Sequence, residues 1–390
     1  MPTMFANLDS TDWKISGYYL HHNPDIIPGA IRSLLSPDAE LRKKARAFLF
    51  GAGQDFGEIY DTTPQIVPFC LEVLALDGAP EKAELMHHLA GLGLYIAESG
   101  ARSVHVMDLC VQTYTALRAG LDLYLDLLAR GDRDERLAAC ELLQYMREDV
   151  ERLIPILLAQ VHQEEDAAVQ VSLLYCLKRL FASLEWPRFS LKKQYAPDLR
   201  EIVEHHPSQT AQVAAARASV ELLGRFPEYE EARLSSKVGD LLAQEFLQLS
   251  VPMYRLEENP LILQEDIVRD LARLPDPAPL LGLLASPGIT AEQANLLVRG
   301  LLCQTFIDDR VLHDRHWQQM RSYEKRKEGS FFIYEHDIPP EKWESDRVRL
   351  VLQTIAGVDR VWEIPTNLFS YFFGLPDSRP ALRKLAEETA

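Results

Sequence analysis

The chain has 390 residues, of which 47% are hydrophobic, 25% charged and 9% aromatic. This composition is typical of a folded protein and excludes disorder over most of the length. The 58 acidic side chains outnumber the 41 basic ones, for a net charge of -17, which disfavours general binding to nucleic acids or anionic membranes.

We expect no secretory signal at the start of this sequence, because Met1–Asp12 has neither a basic cluster nor an apolar core. The longest apolar run, Leu153–Ala159, is far shorter than the ~20 residues that a membrane span needs. The cysteines are widely spaced, without a CxxC pair, and each lies among apolar residues. We therefore expect a cytoplasmic protein with buried thiols and neither disulfides nor a zinc site.

Helical periodicity recurs along the chain, and alternating strand patterns are nearly absent. The clearest apolar stripe is spaced at i, i+3, i+4, i+7, i+8 and i+11 and consists of Val150, Leu153, Ile154, Leu157, Leu158 and Val161. These helices are of two alternating kinds. One kind carries a proline in its first turns, where the amide it removes has no helical partner, at Pro28, Pro68 and Pro155.

The other kind begins with an aspartate that can cap the first amides. A long polar residue follows four positions later, in the pairs Asp38 and Arg42, Asp132 and Arg136, and Asp166 and Gln170. Carboxylate pairs such as Glu164–Glu165 also stand at helix starts, where we expect them to be solvated. Pro28 and Pro68 are 40 residues apart and Asp132 and Asp166 are 34 apart, a period that is typical of repeats built from two helices.

With these alternating helix starts, the chain resembles bacterial HEAT-repeat proteins, in particular those similar to phycobilisome-lyase-like HEAT proteins, most clearly from about Trp13 to Phe226. The resemblance implies an all-α fold, a right-handed α-solenoid of antiparallel helix pairs forming a HEAT/armadillo-like superhelix. It also implies that the arginines at 42 and 136 pair with the capping aspartate of a neighbouring repeat. Gln170 replaces this arginine in one unit, so we expect an incomplete ladder.

Beyond about Glu228 the repeat signature fades while the helical pattern continues. We predict helices at Glu230–Leu249, Leu261–Leu274, Glu341–Ala356 and Arg379–Glu388, and a capping box at Thr290 and Gln293. The predicted organisation is a HEAT-like solenoid with an N-terminal cap over 1–226. Divergent helical repeats with a C-terminal cap then continue it over 227–390; a separate C-terminal bundle is the alternative.

One group of side chains could in principle hold a metal. His313 and His316 share a helix face, and Asp308 and Asp309 precede them by a turn. Arginines at 310 and 315 would oppose a cation there. We therefore favour a solvated helix end and predict neither a metal nor a cofactor.

The favoured function is a non-catalytic scaffold or adaptor that binds a partner protein through the concave face of the solenoid. The partner would be basic, given the net charge, and the protein would be a monomer or part of a hetero-complex. Candidate contacts are Arg42, Arg46, Arg136, Glu141, Gln170, and the loop residues Phe331, Phe332 and Tyr334.

A purely structural subunit of a larger assembly is one alternative, and three further alternatives remain open. One is an immunity protein that neutralises a bacterial toxin. The other two are the enzymes that the resemblance to HEAT proteins allows, namely a chromophore lyase and a glycosylase that excises alkylated DNA bases. The lyase would need a tetrapyrrole pocket, and the glycosylase would need a basic face at a flipped base. The excess of acidic residues opposes the glycosylase.

Overall fold

The regular secondary structure is helical throughout the part of the chain that the structure describes. A computed structural model describes residues 4–13, 26–50, 59–98, 104–184, 190–223, 231–248, 260–274, 276–306, 346–363, 375–376 and 378–388. Within these ranges the regular elements are α-helices and short 3-10 turns. The prediction of an all-α chain of helix pairs is confirmed. None of the described helices combines the length and apolar character that crossing a lipid bilayer requires.

The chain divides into two compact units, Met1–Leu191 and Lys192–Ala390. The predicted division at 226/227 marks the end of the repeat signature and stays a prediction. The helices of the first unit are α1 (Ile27–Ser33), α2 (Ala39–Phe50), α3 (Thr63–Leu74), α4 (Lys82–Glu98), α5 (Val104–Arg118), α6 (Leu121–Arg130), α7 (Arg133–Leu143), α8 (Val150–Gln163) and α9 (Ala167–Ala182).

The helices of the second unit continue the series from its boundary. They are α10 (Ser190–His205), α11 (Gln209–Leu223), α12 (Glu231–Gln248), α13 (Pro260–Leu271), α14 (Ala278–Leu284), α15 (Ala291–Phe306), α16 (Asp346–Gly357) and α17 (Arg379–Glu388). α17 has the predicted bounds. α12 and α13 lie within one to three residues of the predicted ones, an ordinary uncertainty for helix ends.

Side-chain caps fix several of the helix starts. Asp132 accepts a hydrogen bond from the Glu135 amide, and the Glu135 side chain accepts one from the Asp132 amide, a complete capping box. Asp166 caps α9 through the amides of residues 168 and 169. The predicted box at Thr290 and Gln293 is also present, with reciprocal bonds of 3.2 and 2.8 Å. Helix starts were therefore predictable where a cap and its partner are close in sequence.

Two of the three prolines predicted to lie in first turns lie deeper in their helices. Pro28 does lie in the first turn of α1. However, α3 and α8 begin at Thr63 and Val150, which places Pro68 and Pro155 in the helix interior. Both prolines are exposed. Water can therefore reach the backbone where the proline ring removes a helical hydrogen bond.

Each unit contains a row of second helices, one from each helix pair. In the first unit, α1 packs on α2, α3 on α4, α6 on α7 and α8 on α9, while α2, α4, α7 and α9 are neighbours in turn. We call these four helices the second-helix row. α11, α13 and α15 form the corresponding row of the second unit. Apolar side chains fill the space between the helices of each pair, as expected for stacked repeats.

Candidate functional site

A side-chain clamp holds the loop that leads into α2. Arg42 donates hydrogen bonds to the carbonyl oxygens of Ser36 and Pro37, at 2.7 and 3.1 Å. The same guanidinium donates to Oε1 of Glu81 at 2.5 Å, and Arg46 binds the other oxygen of that carboxylate. Glu81 precedes α4 directly and has a left-handed backbone, with φ of 55°. The two arginines of α2 thus fix the start of α4.

The clamp recurs four residues after the capping residue of later helices. Arg136 donates to the Gly131 carbonyl at 3.1 Å and binds both oxygens of Glu164, at 3.0 and 3.2 Å. Gln170 donates to the Glu164 carbonyl at 2.5 Å, and Gln212 repeats the pattern in the second unit, on the His206 carbonyl at 2.8 Å. At these starts the long polar side chain therefore ties its own loop to the helix.

This geometry corrects the expected ladder of arginines and capping aspartates. Arg42 and Arg136 pair with Glu81 and Glu164, whereas the aspartates cap their own helices. The expectation that Glu164 is solvated was wrong, because its carboxylate is buried against Arg136. Arg133 does reach the capping Asp166 of the next pair, at 2.9 Å. Each aspartate is close enough to its own helix start for capping to compete with ion pairing.

A histidine and a glutamate bridge α4 and α7. Nδ1 of the buried His87 forms a short contact with Oε2 of Glu141. The Glu141 side chain keeps 40% of its surface exposed. The neighbouring His88 stacks on Phe50 of α2, with ring centroids 5.2 Å apart. Glu141, a predicted partner contact, thus also joins two helices of the second-helix row.

An acidic groove lies between the starts of α4 and α7. Glu81, Glu84, Asp132, Asp134 and Glu135 line it with five carboxylates, opposed by the single ammonium group of Lys82. The caps and clamps of the two helices hold three of these carboxylates, those of residues 81, 132 and 135. Glu84 and Asp134 do not cap a helix, and the contact of Asp134 with Arg133, at 3.5 Å, is exposed to solvent. The groove is therefore a rigid surface of negative charge.

The Glu81 carboxylate should make the stability of the first unit sensitive to acid. Its hydrogen bond from Arg42 lowers its pKa below the ordinary 4.5, and this outweighs the opposing effect of burial. A lowered pKa in the folded state adds stability above the ordinary value, and this stability is lost as the pH falls through the lowered pKa. We expect the urea midpoint to fall less steeply below about pH 4.5 in Glu81→Gln than in the wild type.

Asp122→Asn provides the control for this pH series, because it also removes one carboxylate but from an exposed position on α6. In this control the urea midpoint should fall with decreasing pH as steeply as in the wild type. If the urea midpoint falls equally steeply with decreasing pH in the wild type and in Glu81→Gln, the clamped carboxylate contributes nothing to the pH dependence of stability.

The remaining predicted sites divide into those outside and those inside the described residues. Phe331, Phe332 and Tyr334 lie outside them, as does the metal candidate formed by Asp308, Asp309, His313 and His316. Within the described ranges no group of three or more His, Cys, Asp or Glu side chains is placed to hold a metal ion. All five cysteines are free and buried. Burial raises the pKa of the Cys70 thiol to about 12, which suppresses thiolate chemistry.

Sequence reasoning missed the residues that complete the clamps and the groove, chiefly Glu81, Glu84 and Glu164. The available signal was an acidic residue within two positions of a helix start, at Glu81 before α4 and Glu164 before Asp166. That signal does not identify the arginine that binds the acidic residue, because this arginine lies 28 to 39 residues away in the chain.

The comparisons with known proteins concern solved structures. No protein-family model matches the chain, and no curated protein sequence matches it. It is similar to the complex of CpcE and CpcF of phycocyanin lyase from Nostoc sp. PCC7120, with 18% identity and a TM-score of 0.42, over 79% of this chain and 99% of that one. An engineered protein has 15% identity and a TM-score of 0.39, over 93% of this chain and 97% of that one. Importin beta has 12% identity and a TM-score of 0.41, over 93% of this chain and 54% of that one.

Proposed function

We propose that the protein is a non-catalytic scaffold or adaptor that binds a partner protein through the surface of its second helices. The observation that carries the proposal is the acidic groove between the starts of α4 and α7. Stacked helix pairs offer an extended surface on which neighbouring helices present side chains to one partner. The groove lies where two such helices start side by side, at loops that the clamps hold in place.

A basic partner segment fits this surface by charge. In the groove five carboxylates face one ammonium group, and Arg42 and Arg46 bind one of the five, that of Glu81. The whole chain has a net charge of -17. Complementary charge accelerates association and suppresses the binding of acidic competitors. An immunity protein that neutralises a basic toxin would be one form of this function. A DNA glycosylase would instead need a basic face for the phosphate backbone, so the acidity of the groove favours a protein partner.

The predicted contact residues Arg42, Arg46, Arg136, Glu141 and Gln170 keep a place in this proposal. Most of their polar atoms are used within the chain, in the clamps and in the bridge to His87. Their contribution to binding would be to hold the groove in shape. Glu141, which is 40% exposed, is the one with the most surface left for a direct contact.

The test is to capture a partner and then measure its association rate with charge variants. Immobilised protein is exposed to a lysate of its source organism at low salt, and the captured protein is purified for surface plasmon resonance. Glu84→Gln with Asp134→Asn removes two carboxylates from the groove without touching a cap or clamp. We expect a loss of roughly tenfold in association rate, and a weaker dependence of that rate on salt.

Asp108→Asn with Asp122→Asn is the matched control. It removes the same charge from exposed positions on α5 and α6, and it should change the association rate much less. Equal losses in both double variants would assign the effect to net charge and not to the groove. Capture of no protein, or capture that both double variants leave unchanged, would contradict the proposal.

A further inference from the structure

A short segment before the first helix, residues 4–13, lies against α3. The Phe5 amide donates a hydrogen bond to Oε2 of Glu72 on α3, at 2.7 Å. The rings of Phe5 and Trp13 both contact the ring of Phe69, with centroids 6.2 and 5.8 Å away. We call residues 4–13 the arm. A backbone hydrogen bond and aromatic contacts therefore attach the arm to α3.

The arm also reaches α1 and buries a side chain of its own. Asp9 forms an ion pair with Arg32 of α1, and the two side chains are 75% and 49% exposed. The neighbouring Leu8 has no exposed surface. Its amide donates to the Phe5 carbonyl at 3.0 Å, which closes the turn between these two residues. The arm thus bridges the first helices of two successive helix pairs.

These attachments are of the kind that hold a peptide on a protein surface. Peptide ligands are recognised through backbone hydrogen bonds and through the burial of a small number of anchor side chains. Here Glu72 accepts from a backbone amide, Phe69 meets two rings, and Leu8 is a buried anchor. The ion pair with α1 is exposed, so it orients the arm more than it stabilises it.

The backbone of Phe5 is strained in the docked arm. Its φ of 58° lies in the left-handed region, which residues other than glycine adopt at a cost. A released arm does not carry this cost, so the strain weakens docking. A segment that makes the same contacts with a relaxed backbone would bind more tightly than the arm does.

We propose that the surface of α1 and α3 under the arm is a peptide-binding site, which the arm occupies in cis. The ligand is a segment of a partner protein with an aromatic residue, a leucine three positions later and an acidic residue directly after it. These match Phe5, Leu8 and Asp9 of the arm, and the acidic residue complements the guanidinium of Arg32. The site uses none of the residues of the acidic groove and goes beyond the function proposed above.

A second copy of this chain fits the site less well than another protein does. Its arm would bring the same strained backbone at Phe5. It would also compete with an arm that is tethered beside the site and therefore present at a far higher effective concentration. We therefore assign the site to a different protein that lacks the strain.

The test opens the site with a substitution in the arm and fills it with a peptide. Leu8→Asp places a charge where the arm has no exposed surface, so the arm should leave. A fluorescein-labelled peptide of residues 4–13 is titrated with the full-chain protein, and fluorescence anisotropy reports binding. We expect saturable binding to Leu8→Asp, and binding at least about tenfold weaker to the wild type, whose tethered arm competes.

A second substitution, made in the Leu8→Asp protein, locates the bound peptide. Glu72→Ala removes the acceptor of the Phe5 amide and should weaken binding about tenfold. Asp126→Ala is the matched control, because it removes one carboxylate from an exposed position on α6, and it should leave binding unchanged.

Each outcome decides the question. The expected pattern in all four proteins supports the proposal. No binding to Leu8→Asp with native helix content by circular dichroism, equal binding to the wild type, or equal effects of Glu72→Ala and Asp126→Ala would overturn it. If Leu8→Asp does not fold, Phe5→Asp opens the site from a partly exposed position. A wild-type mass of two chains in ultracentrifugation, reduced to one by the arm variant, would give the site to a second copy and overturn the assignment to a partner.

Discussion

Replacing Asp270 with alanine is expected to lower the free energy of unfolding of the second unit by about 3–5 kcal/mol. Asp270 is fully buried and accepts the 2.7 Å hydrogen bond from Arg217, itself almost fully buried. The substitution would remove from a dry interface a carboxylate that binds the Arg217 guanidinium, and losing a charged partner is costly away from water. Urea unfolding followed by circular dichroism measures the loss, and hydrogen exchange of the α11 and α13 amides assigns it to this interface.

Asp122→Ala is the control for this experiment. Asp122 also pairs with an arginine, Arg152, but its side chain is 82% exposed, so water replaces the lost contact. We expect a loss below about 1 kcal/mol. Equal losses for Asp270→Ala and Asp122→Ala would mean that the arginine of α11 finds water or another acid when its partner is removed.

Gly120→Ala is expected to cost the first unit about 1–3 kcal/mol by overpacking. A Cβ atom at this position would lie 2.6 Å from Cζ and from the hydroxyl of Tyr124, and 2.7 Å from Cδ2 of Leu71. The Tyr124 ring cannot move aside easily, because it is fully buried and its hydroxyl donates to the Leu117 carbonyl at 2.9 Å. Urea unfolding of the variant measures the loss.

Gly29→Ala provides the opposite expectation at a position in α1. A Cβ atom there would meet nothing within 4 Å. Alanine should stabilise the helix by about 0.5–1 kcal/mol, since it loses less backbone entropy on folding. A neutral result at Gly120 alongside a gain at Gly29 would show that Tyr124 and Leu71 can repack around a methyl group.

The parts of the fold that were predicted correctly depend on residues close together in sequence. The box at Thr290 and Gln293 and the bounds of Arg379–Glu388 follow from signals within one or two helical turns. The placement of Pro68 in the first turns of α3 was wrong for a related reason. Pro64 occupies the first turn there, and Pro68 was mistaken for the proline that marks the helix start.

The candidate site was harder to predict because its partners are distant in sequence. The spacing of Arg42 and Arg136 after their capping aspartates was visible, but the carboxylates that bind them lie 39 and 28 residues further along. Capping and ion pairing compete for the same aspartates, and only the positions of the loops decide between them. The role of these arginines in contacting a partner stays a prediction, as does that of Phe331, Phe332 and Tyr334.

The contacts between neighbouring second helices differ at several of the described steps, although the clamp of Arg42 and Glu81 recurs at Arg136 and Glu164. Two arginines bind one glutamate between α2 and α4, and a histidine contacts a glutamate between α4 and α7. Two ion pairs join α11 to α13. A helix pair transplanted from one place to another would therefore meet the wrong side chains. The modules are not interchangeable, so an engineer could not shorten or lengthen this array by cutting at repeat boundaries. Both newly adjoining surfaces would have to be rebuilt together.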